Sequence, residues 1–413
     1  MLKSELSKDC LQMSSSLWPV APLSVKQVEG FAAAKVESIA LAAKGTRLFV
    51  GTSDGVLFMY ECRNDTPAAI RSGSVELVQI SQLLGARGAN RDKSRVSSLV
   101  VVDEWRALLG VMDTCLTIYD TTTCRQLAQE AETKGVAVFA VHEPSRRVIV
   151  ATKKKVLLQY GWAGSLSASG PLVAKGSQVA LSEVPLAMCC TADVAVVGFK
   201  KGYALIDLAS GNTTKLMDTD RPGICLELPA TPLAPARVLL SSGSRGVFVN
   251  LATRTLGDER ISWSAPPLQA CIATPFLLAA TERTLEVHDL GLLRNVQTAG
   301  LGSADLGRCL CAASSAQGPH ALKDLVYLCG KEGMALLRVS PLEAQVESLV
   351  KANKYEEALS LCDLCPNAVR RLFDNGTTHS YAIHEISRCL FFLCHFSPSP
   401  SLFFVSNYSL HTP

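Results

Sequence analysis

"LFVGTSDGVLFMY", residues 48–60, is an apolar run, a small residue, a polar turn and a second apolar run. Two β-rich runs flanking a turn of Gly, Ser and Asp read as a hairpin. The pattern returns in "ALLGVMDTCLTIYD" (107–120), "VIVATKKKVLLQY" (148–160), "AVVGFKKGYALIDL" (195–208), "VLLSSGSRGVFVNL" (238–251), "LLAATERTLEVHDL" (277–290) and "VYLCGKEGMALLRV" (326–339). The equivalent small residues are Gly51, Gly110, Ala151, Gly198, Ser241, Ala280 and Cys329, 39 to 59 residues apart and about 46 on average. That is the period of blade-like β-repeats. Further apolar strands precede most hairpins, as in "VESIALA" (36–42) and "PLAMCCT" (185–191), and a fourth strand follows several, as in "VELVQIS" (75–81).

Four strands repeated seven times predict a mainly β chain folded as a seven-bladed propeller, whose radial closure leaves only short sheet edges. Two consecutive β-sandwiches would need seven in-phase hairpins by coincidence. The small residue before each turn fits a site where a large side chain would strike the neighbouring blade. "VAPLSVKQV" (20–28) is expected to complete the last blade and lock the ring.

The composition suits a large core: 48% of residues are hydrophobic and 19% charged. A net charge of +3 does not suggest a dedicated nucleic-acid binder, so any basic surface must be local. "MLKSELSKDCLQMSSSLW" (1–18) lacks the apolar centre of a signal peptide, and runs such as "CLFFLC" (389–394) are too short to span a bilayer. Of the fifteen cysteines, Cys189, Cys190, Cys271, Cys309, Cys311 and Cys329 lie inside apolar strand runs, which suits buried, reduced thiols in a cytoplasmic protein.

From Ser340 the period changes. Ser340 can cap a helix, Pro341 suits its first position and Glu343 completes a capping box. Leu342, Val346, Leu349 and Val350 then form one apolar stripe, and after "KANK" a second stripe runs through Tyr355, Ala358, Leu359 and Cys362. Two helices with a short connection form the repeating unit of an α-helical solenoid. "AVRRLF" (368–373) and "YAIHEISRCLFFLC" (381–394) are candidates for a third and fourth helix. The expected organisation is a disordered N-terminal segment (1–19), a propeller (20–339), the start of an α-solenoid (340–395) and an atypical, disordered tail (396–413). A solenoid that begins cleanly and ends in unrelated sequence suggests a chain cut short.

"LFVGTSDGVLFMY", "VATKKKVLLQYGW", "VPLAMCCTADVAVVGFKKGYALID", "ISWSAPPLQA" with "TLEVHDL", and "PLEAQVESLVKANKYEEALSL" occur in an order that resembles a known family. It is the family of citron-homology (CNH) propellers followed by a helical solenoid, that of vacuolar protein sorting-associated protein 39 and the TGF-beta receptor-associated protein. The resemblance runs with gaps over roughly residues 30–392. It implies a non-enzymatic scaffold subunit of a HOPS- or CORVET-type tethering complex, without cofactors. It also implies other tethering-complex subunits and a Rab GTPase as partners, at the late endosome and the lysosome or vacuole. The alternative is a signalling regulator of small GTPases or kinases, because CNH propellers also occur there; helices after residue 340 argue against it. A propeller enzyme would need acidic or histidine residues clustered near the axis, and the sequence shows none.

Equivalent hairpin turns of a propeller share one face. They carry Lys153, Lys154, Lys155, Lys200, Lys201, Arg245, Arg283 and Lys331, and the connection "LGARGANRDKSRV" (84–96) adds Arg87, Arg91, Lys93 and Arg95 to that face. Asp54 and Asp113 stand in the first two turns, so the basic sector should be lopsided. Such a sector can attract an anionic membrane surface or an acidic partner; lysine in solvated turns is the plainer reading. "CDLC" (Cys362, Cys365) has zinc spacing with Cys389 and Cys394 as partners, but these cysteines sit in core-like runs and read as packing. "GARGANRDKS" (85–94) fails as a phosphate-binding loop, because Asp92 replaces the required Gly and the context is strand to strand. The seven histidines form no metal pair, and His288 is expected to alternate outward from its strand.

Overall fold

The computed structural model describes residues 11–13, 20–23, 25–26 and 36–361, apart from 43–45, 64–74, 85–94, 165–169, 177, 221, 229, 231–234, 302–308, 313–324, 331–332, 341, 353, 355–356 and 359. The chain divides into two compact units, Met1–Ser340 and Pro341–Pro413.

The first unit is a β-propeller. Blade 1 contains Val36–Ala42, Arg47–Thr52, Val56–Arg63 and Val75–Leu84. Blade 2 contains Leu99–Val102, Ala107–Met112, Cys115–Asp120 and Gln126–Glu130. Blade 3 follows with Val136–His142, Arg147–Thr152, Val156–Trp162 and Leu172–Ala174. Blade 4 is Ala187–Cys190, Val194–Phe199, Gly202–Asp207 and Thr213–Asp218. Blade 5 is Pro222–Leu228, Arg237–Ser242, Arg245–Asn250 and Thr255–Ser262. Blade 6 is Gln269–Ala273, Phe276–Ala280, Thr284–Asp289 and Asn295–Leu301.

The expectation of seven equivalent blades needs correcting here: six blades, not seven, are made of four consecutive strands. The remaining sheet is composite. Only three strands, Cys309–Ala312, Leu325–Gly330 and Gly333–Val339, come from the end of the repeat region. Its fourth place is taken by β2 (Val20–Leu23), antiparallel to Gly333–Val339 with Val20 opposite Val339. The physical reason is that no further strand of this unit follows Val339, so the free edge there is paired from the other end of the chain. β1 (Leu11–Met13), inside the segment expected to be disordered, pairs with the outer strand of blade 6. β3 (Val25–Lys26) pairs parallel with the outer strand of blade 1. The N-terminal segment thus touches three successive sheets.

The first strand of each sheet is innermost: the first strands of blades 3, 4, 5 and 6 pack in succession, that of blade 6 meets Cys309–Ala312, and that strand meets Val36–Ala42 of blade 1. Second strands are buried along both faces, as with Ala107–Met112 and Val194–Phe199, which is why they read as unbroken apolar runs. Core clusters fill the spaces between neighbours. Val36, Val50 and Tyr60 of blade 1 pack on Leu325, Tyr327 and Leu336 of the composite sheet. Between blades 2 and 3, Trp105 stacks on Trp162 with ring centroids 4.9 Å apart. The small-residue expectation is met at Gly51, where a Cβ would lie 2.5 Å from Ser38 Oγ and 2.5 Å from Val96 Cγ1 at the entry to blade 2.

In the second unit, α1 spans Leu342–Lys351, with Val346 buried. Residues 357–358 and 360–361 are also helical, with Ala358 and Leu361 buried. No solenoid is present among the described residues: one ten-residue helix and this short stretch do not make a stacked array. The expected third and fourth helices, Cys362, Cys365, Cys389 and Cys394, and the tail 396–413 lie outside the described residues.

Candidate interaction face and channel mouth

Strand direction alternates within a blade. The turn between second and third strands therefore leaves from the same face as the connection to the next blade. Hydrogen bonds tie the two together. Val96 N–H donates to the Thr52 carbonyl at 3.0 Å, Val136 N–H to Thr114 at 3.0 Å, and Lys153 N–H to Gly135 at 2.7 Å. Thr219 N–H donates to Lys201 at 3.1 Å, and Trp263 N–H to Ser244 at 2.9 Å.

Lys153, Lys154 and Lys155 form the exposed turn of blade 3, with Lys155 in the left-handed region at φ 62°. The Lys155 ammonium donates to the Ser182 carbonyl at 3.2 Å. Lys200 and Lys201 are exposed in the turn of blade 4, Arg245 in that of blade 5, and Arg283 in that of blade 6. Asp54 is exposed in blade 1 and Asp113 half-buried in blade 2. Arg87, Arg91, Lys93 and Lys331 lie outside the described residues.

On this face a cavity of about 1200 Å³ opens near the axis, lined by residues from blades 2 to 6. Of the basic residues singled out from the sequence, Lys153 and Arg95 line it, and the other described ones do not. It also holds three residues that the turn pattern missed: Lys134, Leu186 and Leu268, all on connections between blades. Leu186 is 54% exposed and Leu268 43%. Each sits just before an innermost strand and is fixed by the same bond, Leu186 N–H to the Gly198 carbonyl (2.8 Å) and Leu268 N–H to the Ala280 carbonyl (2.7 Å). The shared "PL" of "VPLAMCC" and "PPLQACI" was the available signal.

His288 does not face outward. It is fully buried, and its Nε2 lies 3.2 Å from Glu286 Oε2. The alternation argument failed because blades cover both sides of a middle strand, leaving no outward face. Glu286 also accepts from Ser264 N–H at 2.9 Å, from the Ser264 hydroxyl, and from Asn295 Nδ2 at 3.2 Å. Burial alone would raise the Glu286 pKa; the hydrogen bonds from His288 and Ser264 outweigh it and hold the carboxyl below its ordinary 4.5. The Ser264 hydroxyl meets the carboxylate and not the imidazole, and none of the three lines the cavity. This network joins the blade 5–6 connection to blade 6 and is structural. Among the described residues no three His, Cys, Asp or Glu side chains gather as a metal site, and no helix is long and apolar enough to cross a membrane.

The CNH domain family matches residues 44–312, well over half of the chain. The chain belongs to the CNH domain family. Similar proteins include the Vam6/Vps39-like protein of Homo sapiens, 24% identical over 336 residues that cover 78% of this chain and 35% of that protein. The vacuolar sorting protein 39 of Arabidopsis thaliana is 25% identical over 333 residues, covering 79% of this chain and 30% of that one. The transforming growth factor-beta receptor-associated protein 1 of Mus musculus is 21% identical over 331 residues, covering 77% and 35%. The chain thus spans about a third of the length of these relatives. Among solved structures, the AfRom2 CNH domain superposes with a TM-score of 0.53 at 14% identity, covering 78% of this chain and 99% of that one. That likeness concerns the CNH fold alone.

Proposed function

We propose that this CNH-family chain is a non-enzymatic scaffold subunit of a HOPS- or CORVET-type tethering complex. In this reading it works with a Rab GTPase in vesicle docking and fusion, as a peripheral protein of the late endosome and the lysosome or vacuole. The observation that carries the reading is the match to vacuolar-sorting relatives over 78% and 79% of the chain. The second unit begins with a helix directly after the propeller, the order expected of a propeller followed by a solenoid. Lys153, Lys154, Lys155, Lys200, Lys201 and Arg245 would supply the membrane- or partner-facing charge, with Arg87, Arg91 and Lys93 added from the connection after blade 1.

Affinity capture of the tagged chain from cells, read by quantitative mass spectrometry, tests the proposal. The expected result is enrichment of tethering-complex core subunits. Recovery of folded chain without any of them overturns it. Flotation with anionic liposomes tests the basic face separately: a Lys153/Lys154/Lys155 charge reversal should reduce binding, and equal binding removes the membrane role.

A further inference from the structure

We propose that the channel mouth on the turn face docks a short acidic peptide segment of a partner protein, which seats apolar side chains against Leu186 and Leu268. The proposal rests on the scaffold reading only in supposing that a protein partner exists.

Three observations converge on one opening. The first is apolar exposure: of the three large hydrophobic side chains most exposed among the described residues, two, Leu186 and Leu268, stand at this mouth. Their backbones are pinned by equivalent hydrogen bonds to Gly198 and Ala280, so the two segments are fixed before any partner arrives, which lowers the backbone ordering cost of docking. The second is charge. Arg95, Lys134 and Lys153 are exposed and line the cavity, where Asp113 is the acidic residue. Among the described residues none of these three cations forms an ion pair. A concave, low-dielectric mouth with three cations to one carboxylate is net positive and focuses its field on an incoming anion.

The third is shape. About 1200 Å³ exceeds the range of roughly 300–1,000 Å³ that suits small molecules, and a concave opening rejects a flat bilayer. The lining also has small and soft half-buried residues, Ala187, Met188, Cys225 and Ala270, which accommodate different apolar side chains. Stacked bases would need exposed aromatic rings, whereas the aromatic residue of the lining, Phe139, is buried. Acidic charge flanking one or two Leu or Phe residues is the chemistry that fits.

The test uses the full chain and fluorescence anisotropy with a labelled octapeptide of Glu and Asp residues flanking two Leu. Saturable binding is expected, weakening as salt rises. Leu186→Ser with Leu268→Ser should raise Kd by at least about tenfold, and Lys134→Glu with Lys153→Glu should raise Kd and flatten the salt dependence. A peptide with Lys in place of its acids should not bind. The substituted side chains are exposed, so unchanged melting temperatures would show that the variants fold. No saturable binding overturns the proposal. So does equal binding by the double Leu variant, or displacement of the peptide by vesicles containing anionic lipid, which would assign the mouth to the membrane. Failure here alongside successful capture of tethering subunits sinks only this site. Peptide binding without such capture sinks only the scaffold reading.

Discussion

Replacing Glu286 tests whether hydrogen-bonded charge holds the junction between blades 5 and 6. In Glu286→Gln the carbonyl oxygen can keep both bonds from Ser264, but the amide then faces Asn295 Nδ2 and His288 Nε2. Flipped, the carbonyl oxygen instead keeps the bonds from His288 and Asn295 while Ser264, which is exposed, turns to water, so the buried imidazole keeps an acceptor. The loss is mainly charge assistance, about 1–2 kcal/mol. In Glu286→Leu no acceptor remains. Ser264 and Asn295 are exposed and can turn to water, but His288 is fully buried and cannot. A stranded buried donor costs about 1–3 kcal/mol and the lost bond to a charged acceptor about 1.5–3 more, together about 3–5 kcal/mol. For a unit of about 340 residues, the unfolding entropy makes each degree of melting temperature worth roughly 0.7 kcal/mol. Thermal melts at pH 7.5 should therefore fall by about 2 °C for Glu286→Gln and about 4–7 °C for Glu286→Leu. The carboxyl is held below 4.5 in the fold, so its contribution is present above that value and is lost as pH falls through the lower folded value. The gap between wild type and Glu286→Gln should therefore narrow below about pH 4.5. Equal losses in the two variants, or a Leu variant within about 1 °C of wild type, would refute the argument.

Gly51→Ala should cost about 1–3 kcal/mol by urea unfolding, because the new methyl meets Val96 and Ser38 at 2.5 Å. Gly257→Ala, whose nearest neighbour is 3.5 Å away, should stay within about 0.5 kcal/mol. Removing residues 1–28 should lower the melting temperature by at least about 3 °C and produce self-association in light scattering, because the edge at Gly333–Val339 loses β2; a monomer melting like full length would contradict it. Cys189 lies 3.1 Å from the Cys225 sulfur, and that neighbour together with burial pushes the Cys189 thiol well above its usual 9. Iodoacetamide at pH 8 should leave it unmodified in the folded chain and alkylate it in urea, with peptide-level mass spectrometry locating the modified cysteine.

The middle hairpins were legible because both faces of a second strand are covered, so Ala107–Met112 or Val194–Phe199 has no polar residue to break the run. Outer strands were harder to read. Thr213–Asp218 and Thr255–Ser262 are largely exposed and carry polar sequence that a loop would also carry. One regular signal went unread: Asp120, Asp207, Asn250 and Asp289 end third strands, and each accepts backbone N–H groups two and three residues ahead. The turn lysines were visible as a run, but which cations meet at the channel depends on how each turn and connection packs around it, which no local pattern records. Lys134 reaches it, while Lys154 and Lys155 do not.

The pairing of Val20 with Val339 also sets a timetable. On a ribosome adding about 5–20 residues per second, β2 emerges roughly 15–60 s before the strand it must join. Through that interval the nascent chain carries β2 unmatched while blades assemble behind it. Synthesis in chain order thus leaves β1 and β2 to be fastened late, whereas β3 can join blade 1 early. A chaperone that shields the first 30 residues during translation would act where this fold is most open to mispairing.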